Sequence, residues 1–321
     1  MLHFNDCARV GLALVRAAAR HGWSWDYLPP GKVRPQTDPG SGLGRLRWIP
    51  YWTRRLARVS RAEVVHVHYA TSVPLIKQRP IPRRPYFLHL HGTDIRRSWT
   101  EKSSHALIQR VIDEAEQVFY TNLDTIELAT RARQDAQYMP AFVQFEELPV
   151  WQPRENLVVF TSRLDSDKGV EKQLELATRL IKAFPKVRFE ALDWGPGARA
   201  ARQAGIVMRP RMSHGDFLNW LARASLGIGQ ANQILAISEF EAMGIGLPVA
   251  AWGKRIARPE DNTTPPVIEG NIEDILMGVR QALSDPAKMS ANLGGRQWVL
   301  DHHQADAYVS VLETMYRQVA G

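Results

Sequence analysis

Asn156-Leu157-Val158-Val159-Phe160-Thr161-Ser162-Arg163-Leu164-Asp165-Ser166-Asp167-Lys168-Gly169 decides the fold. Its first part is a short run with an apolar, β-branched centre, the mark of a buried strand. Its second part is mostly polar and runs into residues 170–184, where Val170, Leu174, Ala177, Ile181 and Phe184 recur at helical spacing. A strand that feeds a helix through a polar turn is the unit of a parallel α/β sheet. The same alternation recurs on both sides. Downstream, Val187–Leu192 predicts a strand, 214–224 a helix, and 305–320 a last helix with Tyr308, Leu312, Met315 and Val319 on one face. Upstream, 7–20 reads as a helix through Val10, Leu12, Leu14, Val15 and Ala18. A loop rich in Pro and Gly, Pro29–Gly44, precedes two buried strands, Val64–Tyr69 and Tyr86–His91. A helix over 103–116 then leads to a strand, Gln117–Thr121. Between Tyr138 and Pro153 the periodicity fails, and Pro140, Pro149 and Pro153 punctuate the chain. The spacing therefore predicts two Rossmann-like α/β domains with a boundary in this stretch, and no internal repeat is visible.

Composition narrows the class. With 321 residues, 45% of them hydrophobic and 23% charged, the chain is neither disordered, collagenous nor a coiled coil. No apolar run approaches the ~20 residues that span a bilayer. Asp6, Arg9, Arg16 and Arg20 interrupt the first apolar stretch, so no signal peptide is expected and the expected address is the cytoplasm. Cys7 is the single cysteine, which excludes an internal disulfide and a Cys-rich metal site. The net charge of +8 is uneven: residues 1–150 hold 21 Lys+Arg and 14 Asp+Glu (+7), residues 151–321 hold 20 and 19 (+1). A basic first half suits an anionic partner: nucleic acid, lipid headgroups or a phosphorylated substrate.

Ligands of open parallel sheets bind at the carboxyl ends of strands, and four polar clusters fall there. In the opening stretch, Arg163 and Lys168 flank a helix start whose free N–H groups favour an anion, an arrangement suited to a diphosphate. The plainer alternative is a solvated turn capped by Asp165 or Asp167. Ser238-Glu239-Phe240-Glu241-Ala242-Met243-Gly244-Ile245-Gly246-Leu247-Pro248-Val249 carries two carboxylates in a first helical turn, either as dipole partners or as acceptors for paired sugar hydroxyls. His89-Leu90-His91-Gly92-Thr93-Asp94 places His91 at a strand end, near neutral titration. His66 and His68 join His89 and His91 on two neighbouring strands, but strand-internal histidines are ordinarily core residues. No carboxylate or cysteine stands at zinc-ligand spacing, so no metal is expected. Asp193-Trp194-Gly195-Pro196-Gly197 is a tight turn or a place of close ligand approach.

In order and spacing these stretches resemble the second half of the retaining GT-B glycosyltransferases of the family-4 type. Val64–His68 and Leu90–Asp94 carry a looser resemblance through the first half. The resemblance implies two Rossmann-like domains facing an interdomain cleft. It divides the chain into an acceptor-side domain over 1–148, a nucleotide-sugar domain over 149–304, and a helix over 305–321 that packs back on the first domain. It also implies transfer of a sugar from a nucleotide-diphosphate donor with retention of configuration. Arg163 and Lys168 would hold and stabilise the leaving diphosphate in place of a metal, and His91 would touch the donor sugar. Gly195, Arg209, Gln233, Ser238, Glu239 and Glu241 are implied on the donor side, with Glu241 on the ribose and Met208–Arg211 by the base. Asn5, Asp6 and Asp94 are implied on the acceptor side. No cofactor, metal or nucleic acid is implied; the partners are a nucleotide sugar and an anionic, lipid-linked or small acceptor.

Two departures stand out. The position eight residues before Glu241, a glutamate in that family, is Gln233, which keeps hydrogen bonding but loses charge. The glycine-rich loop after the first strand is replaced by Asn5-Asp6-Cys7-Ala8. They keep two alternatives open: a sugar-nucleotide epimerase or hydrolase of the same fold, and a scaffold that has lost catalysis. Arg45–Arg61 interleaves Arg45, Arg47, Arg54, Arg55, Arg58 and Arg61 with Trp48, Tyr51, Trp52, Leu56 and Val59. It reads either as a peripheral contact with the inner membrane face or as a solvated helix with its apolar side in the core.

Overall fold

The structure, a computed structural model, describes residues 1–35 and 42–320. Residues 36–41 of the Pro- and Gly-rich loop, residue 321 and the side chains of Leu43 and Arg45 lie outside it. The chain divides into two compact units, one of Met1–Phe142 with Ala305–Gly321, the other of Val143–Gln304.

The first unit is a parallel six-stranded sheet: β1 (Leu2–Phe4), β2 (Asp26–Leu28), β3 (Val65–His68), β4 (Tyr86–Leu90), β5 (Val118–Tyr120) and β6 (Gln137–Tyr138), in the order β2-β1-β3-β4-β5-β6. Registers are in step: His3 pairs with His66 and His68 with His89. Since side chains alternate along a strand, one face presents Leu2, Phe4, Val65, Val67, Leu88 and Leu90, all buried in an aliphatic core. The other face presents His3, His66, His68, Phe87, His89 and Phe119, equally buried. Helix Val10–Arg20 comes close over this second face: a Cβ on Gly11 would stand 2.6 Å from His68 Nε2, so the helix has glycine there. Helix Asp306–Ala320 belongs to the same unit and sends Tyr316 Oη to 2.6 Å from His66 Nδ1, while Glu313 accepts from Trp25 Nε1 at 2.8 Å.

The second unit repeats the plan with β7 (Leu157–Phe160), β8 (Arg188–Leu192), β9 (Val207–Arg209), β10 (Leu226–Ile228), β11 (Val249–Trp252) and β12 (Ile268–Gly270), all parallel, in the order β12-β11-β10-β7-β8-β9. Its central strands are hydrophobic on both faces: Val158, Phe160, Leu226, Ile228 and Ala250 pack one way, Val159, Val249 and Ala251 the other. The chain leaves β7 toward β8 and leaves β10 toward β11, on opposite sides. The gap between their carboxyl ends is thus a topological switch point, where open α/β sheets take ligands. In the first unit the equivalent point lies between β1 and β3. No helix among the described residues is long and apolar enough to cross a membrane.

Candidate functional site

The β7 switch-point loop is built from three segments that brace each other. After β7, Ser166–Lys168 forms one turn of 3-10 helix, Asp165 caps it through Asp167 N, and Gly169 turns at φ 71 into helix Val170–Ala183. The second segment is the turn after β8. Leu164 N donates to Trp194 O and Gly197 N to Leu164 O, both at 3.0 Å. Gly195 sits at φ 105, and a Cβ there would stand 2.2 Å from Leu164 O, so only glycine closes this turn against the loop. The third segment follows β10. Ala231 N donates to Lys168 O at 3.0 Å and Asn232 Nδ2 to Asp167 O at 2.6 Å. It is held from below by Arg255, whose buried guanidinium donates to the carbonyls of Asn232, Ile234, Trp252 and Gly253. Ile256 N donates to Gln233 O at 3.0 Å. The backbone around Gln233 is thereby pinned on both flanks.

On this frame the half-buried Arg163 stands 3.6 Å from Asp165 and lies over the Trp194 ring at 5.9 Å. Arg211 lies over the same ring at 4.4 Å. Trp194 is an exposed aromatic ring with two guanidiniums near it, a feature without a sequence signal because a lone Trp in a Gly-Pro turn carries no spacing. Lys168 is half-buried at the end of the turn.

Helix Ile237–Ile245 follows the pinned loop, and its two carboxylates are used differently. Glu239 is fully buried and accepts from Thr161 Oγ1 (2.9 Å), Gln230 N (3.1 Å), Ala236 N (2.8 Å) and Ser238 Oγ (3.1 Å). It caps its own helix and ties β7 to β10. Four donors face it, Ser238 among them, so the Glu239 carboxylate implied on the donor side is committed to the frame of the unit. Glu241, one turn edge away and 7% exposed, accepts from His214 Nε2 at 2.8 Å, and His214 Nδ1 is 3.6 Å from Glu147. Arg209 is occupied as well. Its guanidinium donates twice to Glu190 (2.9 and 2.8 Å), beside Trp220 Nε1 (2.8 Å) and Arg188 (2.6 Å). Burial raises the Glu190 pKa, but these hydrogen bonds outweigh it and leave the group below the ordinary carboxylate value.

The first unit gathers Asn5, Asp6, His91 and Asp94 at its own switch point. Asn5 turns the chain off β1 at φ 59 and donates to Ser72 Oγ (2.6 Å) and His68 O (3.3 Å). Asp6 Oδ2 accepts from Leu12 N (2.9 Å) and Tyr27 Oη (3.1 Å), capping helix Val10–Arg20 in place of a glycine loop. Burial raises the Asp6 pKa, and it pushes Asp94 up to about 6. Asp94 accepts from His91 N (3.0 Å) and Ala70 N (3.3 Å), fixing the turn after β4. His91 is half-buried. Its Nε2 lies 3.2 Å from His68 Nδ1 and its Nδ1 3.4 Å from Thr121 Oγ1, so both ring nitrogens face protein groups. Burial pushes its imidazole down to about 4, and holds His3, His66, His68 and His89 well below the ordinary value, so the whole set is neutral near pH 7.

Among the described residues, two groups have the makings of metal ligands: His66, His68 and His89, and Asp6, His68 and His91, each with its ligand atoms within 4.8 Å. Sequence spacing puts no carboxylate beside these histidines; the fold brings one. Asp6 is far from His68 in sequence, and the pairing of β1 with β3 brings them together.

In the basic segment, helix Ile49–Arg61 turns part of its charge inward. Arg55 is buried and donates to Gln78 Oε1 (2.9 Å) and Val33 O, and Arg58 pairs with Asp26 at 2.6 Å. Leu46 and Ile49 are exposed.

No protein-family model and no curated protein matches this sequence significantly. Solved structures do match by fold. Staphylococcus aureus TarM aligns with 83% of this chain at TM-score 0.63 and 12% identity; the chain spans 58% of TarM's length. An α-glucosyltransferase solved with UDP and a mismatched 13-mer DNA aligns with 100% of this chain and 98% of its own at TM-score 0.68 and 11% identity. Anabaena HepE, solved with UDP and glucose, aligns over 99% and 97% at TM-score 0.64 and 12% identity. The fold is GT-B. At these identities the likeness is one of architecture.

Proposed function

We propose that the chain is a glycosyltransferase that moves a sugar from a nucleoside-diphosphate donor to an acceptor, with retention and without a metal at the diphosphate. The observation that carries this reading is the braced β7 loop. Arg163 and Lys168 stand at the switch point of a GT-B unit, on backbone fixed by Gly195, Asn232 and Arg255. Breaking a glycosyl–phosphate bond builds negative charge on the leaving oxygen and oxocarbenium character on the sugar. Two cations held in advance stabilise the first without reorganising, which is the largest single contribution in such sites. Glu241, with an oxygen already accepting from His214, is suited to a ribose hydroxyl pair, and Trp194 to the face of a base. His91 would reach a donor sugar by exchanging its contact with His68 or Thr121. Asn5, Asp6 and Asp94 are proposed on the acceptor side, and Leu46 and Ile49 beside basic Arg47 and Arg54 fit a peripheral contact with an anionic surface.

Incubating the full chain with UDP-, GDP-, ADP- and dTDP-sugars and following the anomeric proton by NMR tests the reading. Transfer, or slow hydrolysis, with the α-anomer released from an α-donor is expected. Isomerised nucleotide sugar would make the chain an epimerase. Donors left intact and unbound would make it a scaffold.

A further inference from the structure

We propose that Asp6, His68 and His91 form a binding site for a divalent transition-metal ion of the zinc class in the first unit. The argument for it does not rest on the glycosyltransferase reading, although it shares Asp6 and His91 with that reading, and an ion held there would keep the His91 ring where it is. Asp6 lies two residues beyond β1, His68 ends β3 and His91 follows β4, so all three converge at the carboxyl ends of adjacent strands, at the first sheet's switch point.

The geometry follows from which atom of each side chain is already used. Asp6 Oδ2 accepts from Leu12 N and Tyr27 Oη, and Oδ1 is left buried with no hydrogen-bond partner. His68 Nε2 faces His3 Nδ1 at 3.0 Å, and His91 Nδ1 faces Thr121 Oγ1 at 3.4 Å. With those two nitrogens donating, the lone pairs left over are His68 Nδ1 and His91 Nε2, 3.2 Å apart, with Asp6 Oδ1 3.8 Å from the former. Zinc bonds near 2.0–2.1 Å place tetrahedral ligand atoms about 3.3–3.4 Å apart. The nitrogen pair already has that spacing, and the carboxylate oxygen needs to close by about half an ångström.

Each ligand side chain thus has a partner behind it that orients it, as second-shell groups do at metal centres. A proton shared between the two imidazoles would satisfy both nitrogens and still leave Oδ1 orphaned, whereas a cation satisfies all three. Charge separates this group from its neighbour. His66, His68 and His89 are fully enclosed and all neutral, so an ion there would be an uncompensated buried charge. At Asp6–His68–His91 the ion meets the Asp6 carboxylate, with Asp94 bonded to the His91 backbone, and the half-buried His91 ring gives a way in. Two histidines and one carboxylate leave coordination positions for water or a ligand oxygen.

The test uses the full chain, stripped with chelator, dialysed, loaded with zinc sulfate and passed through a desalting column before elemental analysis. A chromophoric chelator gives the affinity by competition. One zinc per chain is expected, with affinity reduced about tenfold or more in Asp6→Asn. His68→Gln should lose the ion likewise, while His89→Gln keeps it; circular dichroism checks that each variant folds. Asp6→Asn changes neither shape nor burial, so it decides the matter even if His68→Gln unfolds. Wild-type chain without stoichiometric zinc overturns the proposal. So does zinc retained unchanged by Asp6→Asn, or zinc lost from a folded His89→Gln alone.

Discussion

Glu239→Ala separates a structural carboxylate from a ligand-binding one. In the native unit the carboxylate accepts from two backbone N–H groups, Gln230 N and Ala236 N, and from two hydroxyls, Thr161 and Ser238. Ser238 lies near the surface of the helix start and can turn to water. The two backbone donors would be left without an acceptor, whereas Thr161 Oγ1 keeps Ile228 O at 3.2 Å. Each buried orphan costs about 1–3 kcal/mol, and alanine also leaves a small cavity. A loss of about 4 kcal/mol follows, which for a unit of this size lowers Tm by about 8–16 °C. Glu239→Gln keeps the shape and one carbonyl acceptor, and should recover about half of the loss. Thermal unfolding of the full chain, followed by circular dichroism, reads both variants. A Glu239→Ala chain that melts within about 2 °C of wild type, while losing nucleotide affinity, would refute the reasoning and return Glu239 to the donor side.

Other expectations are simpler. Arg163→Ala and Lys168→Ala should each weaken nucleoside-diphosphate binding by about tenfold or more, the value of a charge-assisted hydrogen bond, with Tm unchanged in titration calorimetry and melting. Gly195→Ala must push Leu164 O away at a positive φ, so a loss of roughly 1–3 kcal/mol in urea unfolding is expected together with weaker nucleotide binding. The Glu190 pKa lies below its unfolded value, so its stabilisation is complete above about pH 4.5 and disappears as pH falls through the lower native pKa. Glu190→Gln should therefore be less stable near neutrality and lose less stability on acidification below that point. EDTA should leave nucleoside-diphosphate affinity unchanged in calorimetry, since cations of the chain replace the metal there; dependence on magnesium would contradict that.

The architecture was legible because it rests on periodicity. Leu157–Phe160 and Val65–His68 fall inside predicted strands, and Val170–Ala183 inside a predicted helix, since burial writes itself into residue type. Helix Val10–Arg20 starts with its first apolar residue, three residues later than the 7–20 predicted, because Asp6 and the residues after it are spent turning the chain off β1. The candidate site was legible where a motif is continuous, as from Thr161 to Gly169. It was opaque where the fold joins distant residues. Nothing in Glu239-Phe240-Glu241 says that the first carboxylate points into the unit and the second toward His214. Arg209 is implied on the donor side, yet Glu190, on the neighbouring strand, takes its guanidinium. Asp6 meets His68 only because β1 pairs with β3.

The central claim is a nucleoside-diphosphate site on the β7 loop, and the most direct measurement is the melting shift of the full chain with UDP, GDP, ADP and dTDP in turn. Ligand at ~100 Kd adds about 2.7 kcal/mol to the native state. The account predicts a clear rise with one of the four, cut to about half or less, about 1.4 kcal/mol, in Arg163→Ala at the same concentration. No rise with any nucleotide, or a rise that Arg163→Ala leaves intact, would contradict it.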